Sequence, residues 1–310
     1  MSKYILKRLL TLIPTLLAVI FIVYFIMDLT PGDPGTLILG EQATKEEIAA
    51  KNEELGYNDP FLVRYVSYVG DLLHGDLGES WQSGRPVMGE ILSRLPVTVT
   101  LAVGAILIGT VVGILVGILS AVKQYSFLDF SATAVAMALA SFPGFWIGMM
   151  LILLFSLYLG WLPSFGGGDF RHYILPWITT ACPFMASQLR MTRTSMLEVI
   201  RADYIRTARA KGQKESKIIL RHALRNALLP VVTILGINFG ALLGGTVTIE
   251  TVFTLPGVGT LIIEAIRSKD VPVVTGATVM LACFVAVLML IVDVLYAYID
   301  PRIKSRYTRK

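Results

Sequence analysis

Residues 206–226, RTARAKGQKESKIILRHALRN, hold seven Lys or Arg against one acid, Glu215. Few other residues have types and spacings suited to chemistry. No G-x-x-x-x-G-K-[ST] loop occurs, so ATP binding by that device is not expected. His74, His172 and His222 have no metal-ligand partner at helical spacing, which argues against a zinc protease. Ser141, Ser156, Ser187 and Ser195 lie in apolar runs without a nearby His base. Such serines more often pack, or bond a backbone carbonyl, than attack a substrate. Cys182 and Cys283 also lie in apolar runs and read as buried thiols, not as a disulfide framework. Among carboxylates, Asp28 and Glu250 fall at the ends of apolar runs and Asp293 deeper, in IVDVLYAYID. A lone intramembrane carboxylate is a functional candidate; the alternative is an inward-facing group capped by a neighbouring helix or a water. One such group falls short of the relay that an ion-coupled pump needs.

The elements that must position these residues are membrane spans. The 310 residues are 55% hydrophobic and 16% charged, with a mean hydropathy of +0.68. Soluble domains run at about 45–50% apolar and about 25% charged. A spanning helix needs about 20 mostly apolar residues. Six runs qualify: 9–28, 97–122, 128–158, 173–196, 226–249 and 273–299. The first exceeds a signal-peptide h-region of about 7–15 residues and ends without an A-x-A-like site, so it reads as a retained span. The third contains Pro143-Gly144, where a kink is expected because proline lacks the N–H and clashes with the preceding turn.

Charge orients the spans. Lys3, Lys7, Arg8, Lys123, ten Lys or Arg between 190 and 225, and five after Asp300 make 19 of the 27. Six spans put all of them on one side, which the positive-inside rule makes cytoplasmic. Splitting 128–158 would carry 190–225 and the basic tail across. The fold class expected is therefore an all-α integral membrane protein of six transmembrane helices with both termini cytoplasmic. Its parts are a tail and first span (1–29), an external segment (30–96), a core (97–300) and a basic tail (301–310). The external segment carries 11 acids against five bases. Thr44-Lys45-Glu46-Glu47 fits a capping box for a helix closed by Gly56, and Asp59-Pro60 fits N-cap and N1 of a second helix ending near Gly75. Gly109, Gly113 and Gly117, and again Gly236, Gly240 and Gly244, recur four apart, a spacing that lets helices approach closely in lipid.

Within the basic stretch, MLEVIRADYIRTARAKG reads as helix, with Gly212 at its C-terminal cap and Lys211 favourable near the negative end of the dipole. KESKIILRHALRNALLP reads as a second helix entering the fifth span. An ordinary positive-inside loop against anionic lipid and a docking element for a cytoplasmic partner both fit this pattern. Nucleic acid does not, because Tyr204 stands nearly alone where an aromatic platform would be needed.

RTARAKG, with HALRNALLP nine residues on, resembles the cytoplasmic EAA loop of ABC importer permeases. Arg206, Thr207 and Ala208 fall at Glu-Ala-Ala and Gly212 at the glycine, so the leading Glu and one Ala are absent, as is the closing Pro. The stretches Asp203 to Gly212 and Arg221 to Pro230 are similar to the oligopeptide/dipeptide branch of that family. So are LKRLLTLIPTLLAVIFIVYFIMDLTPGDP, NDPFLVRYVSYVGDLLHGDLGES, GRPVMGEILSRLPVTVTLA, IETVFTLPGVGTL and VDVLYAYIDPRI, in the right order. The external segment is similar to that of the first permease of the pair. The resemblance implies the type I permease fold, with coupling helices at about 197–225. It implies a bacterial or archaeal cell-membrane subunit, without catalysis or cofactor of its own, forming half of a pathway for di- or oligopeptides. The implied partners are a second permease, two ATPase subunits that bind ATP and Mg, and an extracytoplasmic binding protein. Ala208 and Gly212 would permit close seating on an ATPase, and Arg206, Arg209 and Lys211 would pair with its acids. Nickel chelates and glutathione are alternative cargoes in the branch. An intramembrane enzyme or a scaffold is the alternative from another class.

Overall fold

The computed structural model describes residues 2–29, 32–40 and 42–299, most of them helical. The chain divides into two compact units. The first comprises Thr98–Leu255 with the chain from Leu288 onward, and the second Ser2–Val97 with Pro256–Val287. Three long helices are α1 (Ser2–Asp28), α5 (Val87–Val122) and α13 (Val271–Ile299). The short helices α2 (Pro34–Leu39), α3 (Lys45–Glu54) and α4 (Phe61–Leu73) lie between α1 and α5 in sequence.

The first unit is built around α8 (Phe170–Ile200), which packs against α6 (Phe127–Ser141), α7 (Gly144–Leu151) and α11 (Leu224–Val252). Four described helical stretches are long and apolar enough to cross a membrane: Leu10–Asp28, Val87–Val122, Glu215–Gly236 and Val271–Leu290. A fifth is the pair Phe127–Ser141 and Gly144–Tyr158, bent by 108°. The kink expected at Pro143-Gly144 is thus a sharp corner. The remaining expected span is α8. It is the least apolar because much of it faces protein: Thr179, Gln188 and Thr192 are fully buried. Thr179 and Thr180 donate to the carbonyls of Leu175 and Pro176, each at 2.8 Å, so their hydroxyls are satisfied on their own helix.

Glycines on α5 set its distance from α8. A Cβ at Gly113 would stand 2.7 Å from Cβ of Gln188 and 2.9 Å from the Met185 carbonyl oxygen. At Gly117 it would stand 2.7 Å from Cβ of Thr192. The expected first stripe is therefore a backbone-level seam. Gly240 and Gly244 of the second stripe lie outside the described side chains.

The second unit has its own core, with Met27, Leu77, Val87, Ile91, Val258 and Val273 buried together. Helix α12 (Val258–Arg267) contributes Leu261 and Ala265. The capping box holds: Thr44 N–H donates to Glu47 Oε2 at 2.8 Å, and Glu47 N–H to Thr44 Oγ1 at 3.3 Å. Gly56, at φ +65°, closes α3. For α4 the expected start is one residue off. Pro60 occupies the cap position and α4 begins at Phe61, so the Asp59 side chain does not cap it. Proline can offer no side-chain acceptor, and the Asp59 carbonyl instead accepts from Arg64 Nε at 3.1 Å. The GDLGES turn is held by Asp270, a buried carboxylate that sequence reading missed. It accepts from Ser80 Oγ at 2.5 Å and from the backbone N–H groups of Trp81 (3.2 Å) and Gln82 (3.3 Å).

The seam makes a prediction. Gly113→Val has no room and should cost about 1–3 kcal/mol through overpacking. Gly70, inside α4, has nothing within 4 Å of its added Cβ. Gly70→Ala should therefore gain about 0.5–1 kcal/mol of helix stability. Thermal unfolding followed by size-exclusion chromatography in detergent reads both, and equal effects of the two would refute the seam.

Candidate functional site

The basic stretch folds as two helices joined by a tight turn. Helix α8 stops at Ile200, two residues intervene, and α9 runs Asp203–Ala210. The single helix expected from MLEVIRADYIRTARAKG is therefore broken. Ala202 is extended at φ −67°, ψ 149°. The second helix begins with α10 (Glu215–Lys217), passes through a π-helical turn (Ile218–Ala223) and continues as α11.

The turn between them is a glycine cap. Gly212 sits at φ +72°, with no atom within 4 Å of an added Cβ. Gly212 N–H donates to the Arg209 carbonyl at 2.9 Å and Gln213 N–H to the Ala208 carbonyl at 3.4 Å. These two bonds are those of the Schellman motif, which needs a left-handed residue after the helix end. Within this chain Gly212 is thus required by backbone conformation rather than by crowding.

One residue ties α9 to the body of the unit. Ile205 is fully buried beside Met196, Ile218, Ala223 and Ala227. Val199 and Ala208 pack against the same cluster. Asn226 Nδ2 donates to the Tyr204 hydroxyl at 2.9 Å, and His222 Nε2 lies 2.9 Å from Gln213 Oε1. Arg206, Thr207, Arg209 and Lys211 are solvent-exposed.

These polar residues do different things. Arg209 reaches across the turn to Glu215, with Nε 3.0 Å from Oε2 and Nη2 against Oε1. The guanidinium holds the Glu215 carboxyl below its ordinary range. Arg209 therefore clamps the loop within this chain. Arg206 makes only a long contact of 3.7 Å to Asp203, and both side chains are well exposed. Thr207 Oγ1 is occupied by the Asp203 carbonyl at 3.0 Å. Asp203 opens α9, where a negative charge suits the helix dipole.

The unit's other strong ion pair escaped the sequence. Asp129 is 5% exposed and receives Arg193 as a fork, Nε to Oδ1 at 2.6 Å and Nη2 to Oδ2 at 2.8 Å. Ser120 Oγ and Tyr125 N–H also donate to it, the latter at 3.0 Å. One carboxylate thus joins α5, the 123–126 turn, α6 and α8. The only signal was an acid and a base in different apolar runs, with nothing in their spacing to pair them. Glu250 is fully buried and accepts from Thr98 Oγ1 at 2.7 Å. The Asp293 side chain and the tail 301–310 lie outside the described residues.

The Arg209–Glu215 clamp is exposed, so its stability contribution should not exceed about 1 kcal/mol. Because the carboxyl pKa is lowered in the fold, that contribution stands above the ordinary carboxylate range and is lost as pH falls through the lowered value. Arg209→Glu should loosen the loop, and Arg209→Glu with Glu215→Arg should restore it. Hydrogen exchange of residues 203–217 reads this; no recovery in the double variant would refute the clamp.

Comparison with known proteins agrees with this architecture. Residues 113–305 match the family described as binding-protein-dependent transport system inner membrane component, and residues 1–102 match its N-terminal companion. The dipeptide transport system permease protein DppB of Alkalihalophilus pseudofirmus is 41% identical, over 98% of this chain and 100% of that protein. The glutathione transport system permease protein GsiC of Escherichia coli K12 is 40% identical, over 99% of this chain and 100% of that protein. Among solved structures, an inward-facing methionine ABC transporter, MetNI, superposes with a TM-score of 0.60 at 19% identity, over 69% of this chain and 97% of that one. An amino acid ABC transporter gives 0.52 at 15% identity, over 69% and 94%. Those two likenesses establish the fold. With family models covering nearly the whole chain and full-length relatives at about two-fifths identity, the chain belongs to the binding-protein-dependent inner membrane component family: it is a multi-pass, non-catalytic permease subunit of an ABC importer in the bacterial cell membrane.

Proposed function

We propose that this permease forms half of an import pathway for di- or oligopeptides and takes its energy through the loop 203–217. The observation that carries the coupling role is the two-sided build of α9. Ile205 is locked into the bundle, while Arg206 and Lys211 stand in solvent. A helix anchored that way transmits force instead of folding against whatever pushes it. An ATPase subunit with an acidic groove is the partner of matching chemistry, and ATP and Mg belong to that subunit. The complete assembly would hold a second six-span permease, two ATPases and an external binding protein. The segment 30–96 faces outside, by its acid excess and the positive-inside rule. The permease chemistry also suits a glutathione cargo, since glutathione is itself a peptide and relatives named for both cargoes align end to end.

ATP-driven closure of the ATPases would press on α9, and alternating access follows if each state is favoured by a different ligand. The loop is tested at Gly212. Gly212→Leu should leave membrane insertion intact and abolish uptake of a labelled dipeptide. Gly212→Asn, which tolerates the left-handed conformation better, should retain part of it. Normal uptake in Gly212→Leu would refute the lever. The assembly is tested by gentle affinity purification from native membranes with mass spectrometry. A second permease and P-loop ATPases should co-purify; recovery of this chain alone, under conditions that keep a known ABC complex together, would refute the coupling role.

A further inference from the structure

The second unit contains a cavity of about 180 Å³ that no part of the coupling argument uses. Its walls come from the end of α1, the 32–37 segment, α4, the GDLGES turn and the start of α13. Tyr24, Tyr57, Tyr68 and Trp81 provide aromatic surface. The Tyr68 hydroxyl is buried there beside Thr275, which also lines the cavity.

The charges indicate what kind of ligand. Arg64 and Asp28 line the cavity and are already consumed by each other, at 2.5 Å. The Arg64 guanidinium also lies over the Tyr57 ring, 5.2 Å from its centroid. One of the cavity's rings, Tyr57, thus already accepts a cation. Beyond that pair the lining holds two carboxylates, Asp71 and Asp76, and one ammonium, Lys269, which lies over Gly32. Asp76 Oδ1 accepts from Gly78 N–H at 2.8 Å. The lining is thus mixed in charge with an acidic excess, and its apolar part is mainly aromatic. That combination suits a small ammonium-bearing residue whose charge meets Asp71 and Asp76 and whose side chain rests among the tyrosines. A cavity of about 150 Å³ holds a benzene-sized body. This one admits a single amino-acid residue, not a whole oligopeptide.

We infer that this cavity is a binding site for the free amino-terminal residue of a peptide, engaged on the external side before the cargo enters the bundle. The inference rests on the peptide-import reading for its choice of ligand. Its recognition element is the free ammonium, so an acetylated peptide should not bind.

The test uses the purified assembly of this permease with its partner subunits in lipid nanodiscs. Cys182 and Cys283 are replaced by serine, and Leu55, at the cavity wall and 40% exposed, becomes the only cysteine of this chain through Leu55→Cys. Alkylation of that thiol by a small maleimide is followed with and without Phe-Ala. At about ten times its Kd, Phe-Ala should slow labelling about ten-fold. N-acetyl-Phe-Ala should leave the rate unchanged, and Asp71→Asn should remove most of the protection. No protection by Phe-Ala, or equal protection by the acetylated peptide, overturns the site. Uptake of labelled Phe-Ala into proteoliposomes, with the binding protein present, is measured in parallel. Uptake without protection removes the cavity and leaves the import reading standing. Protection without uptake establishes the cavity and removes the dipeptide as cargo.

Discussion

The close approach of α5 to α8 is the constraint on which the first unit depends. In lipid, helices gain nothing from hydrophobic burial against one another, so association rests on packing and on the few polar contacts that can be satisfied. Gly113 and Gly117 remove the side chains that would hold the backbones apart. What they let in is a helix that is not very apolar. Thr179, Gln188, Thr192 and Ser195 could not face lipid at acceptable cost, and here they are enclosed by protein. The seam and the polarity of α8 explain each other.

Helix α8 also carries the functional geometry. Its last turns hold Arg193, forked onto Asp129, and Met196, which contacts the Ile205 cluster. Helix α8 ends at Ile200, and two residues separate it from α9. The ion pair has several donors on one carboxylate, the condition under which a largely buried charge is retained. Removing one partner would leave the other charge stranded, so the pair fixes the relation of α5, α6 and α8 more than it adds to net stability. The coupling loop is mounted on that fixed corner. The π-helical turn at Ile218–Ala223 then feeds the second arm of the loop into α11. The second arm is continuous with α11, and α9 is tied to α8 by a connection of only two residues, so displacement of α9 is passed on to both.

The second unit solves a different problem. Its external turn has little regular structure of its own and is held by Asp270, which gathers a hydroxyl and two backbone N–H groups. Aromatic contacts do the same for α4 against α1: the Phe21 and Tyr65 rings meet edge-on at 5.4 Å.

Much of this was legible in the sequence because it is local. Apolar run length marked the spans. The spacing of Gly109, Gly113 and Gly117 marked the seam, and Thr44 with Glu47 marked a helix start. Gly212 marked a chain reversal, since few other residues tolerate its backbone angle. Charge asymmetry oriented the whole, and a linear motif in the basic stretch gave the family. Tertiary structure decided what depends on pairing across long sequence separations. Asp129 finds Arg193 64 residues away, Asp270 finds Ser80 190 residues away, and neither spacing carries a period that could announce it. It also decided that Arg209 closes on Glu215 while Arg206 makes only a long contact to Asp203, a distinction invisible in a run of like charges. Short-range order follows from backbone conformation and helical periodicity, which a sequence states directly. The partner of a buried charge follows from which helices meet, and only the folded chain fixes that.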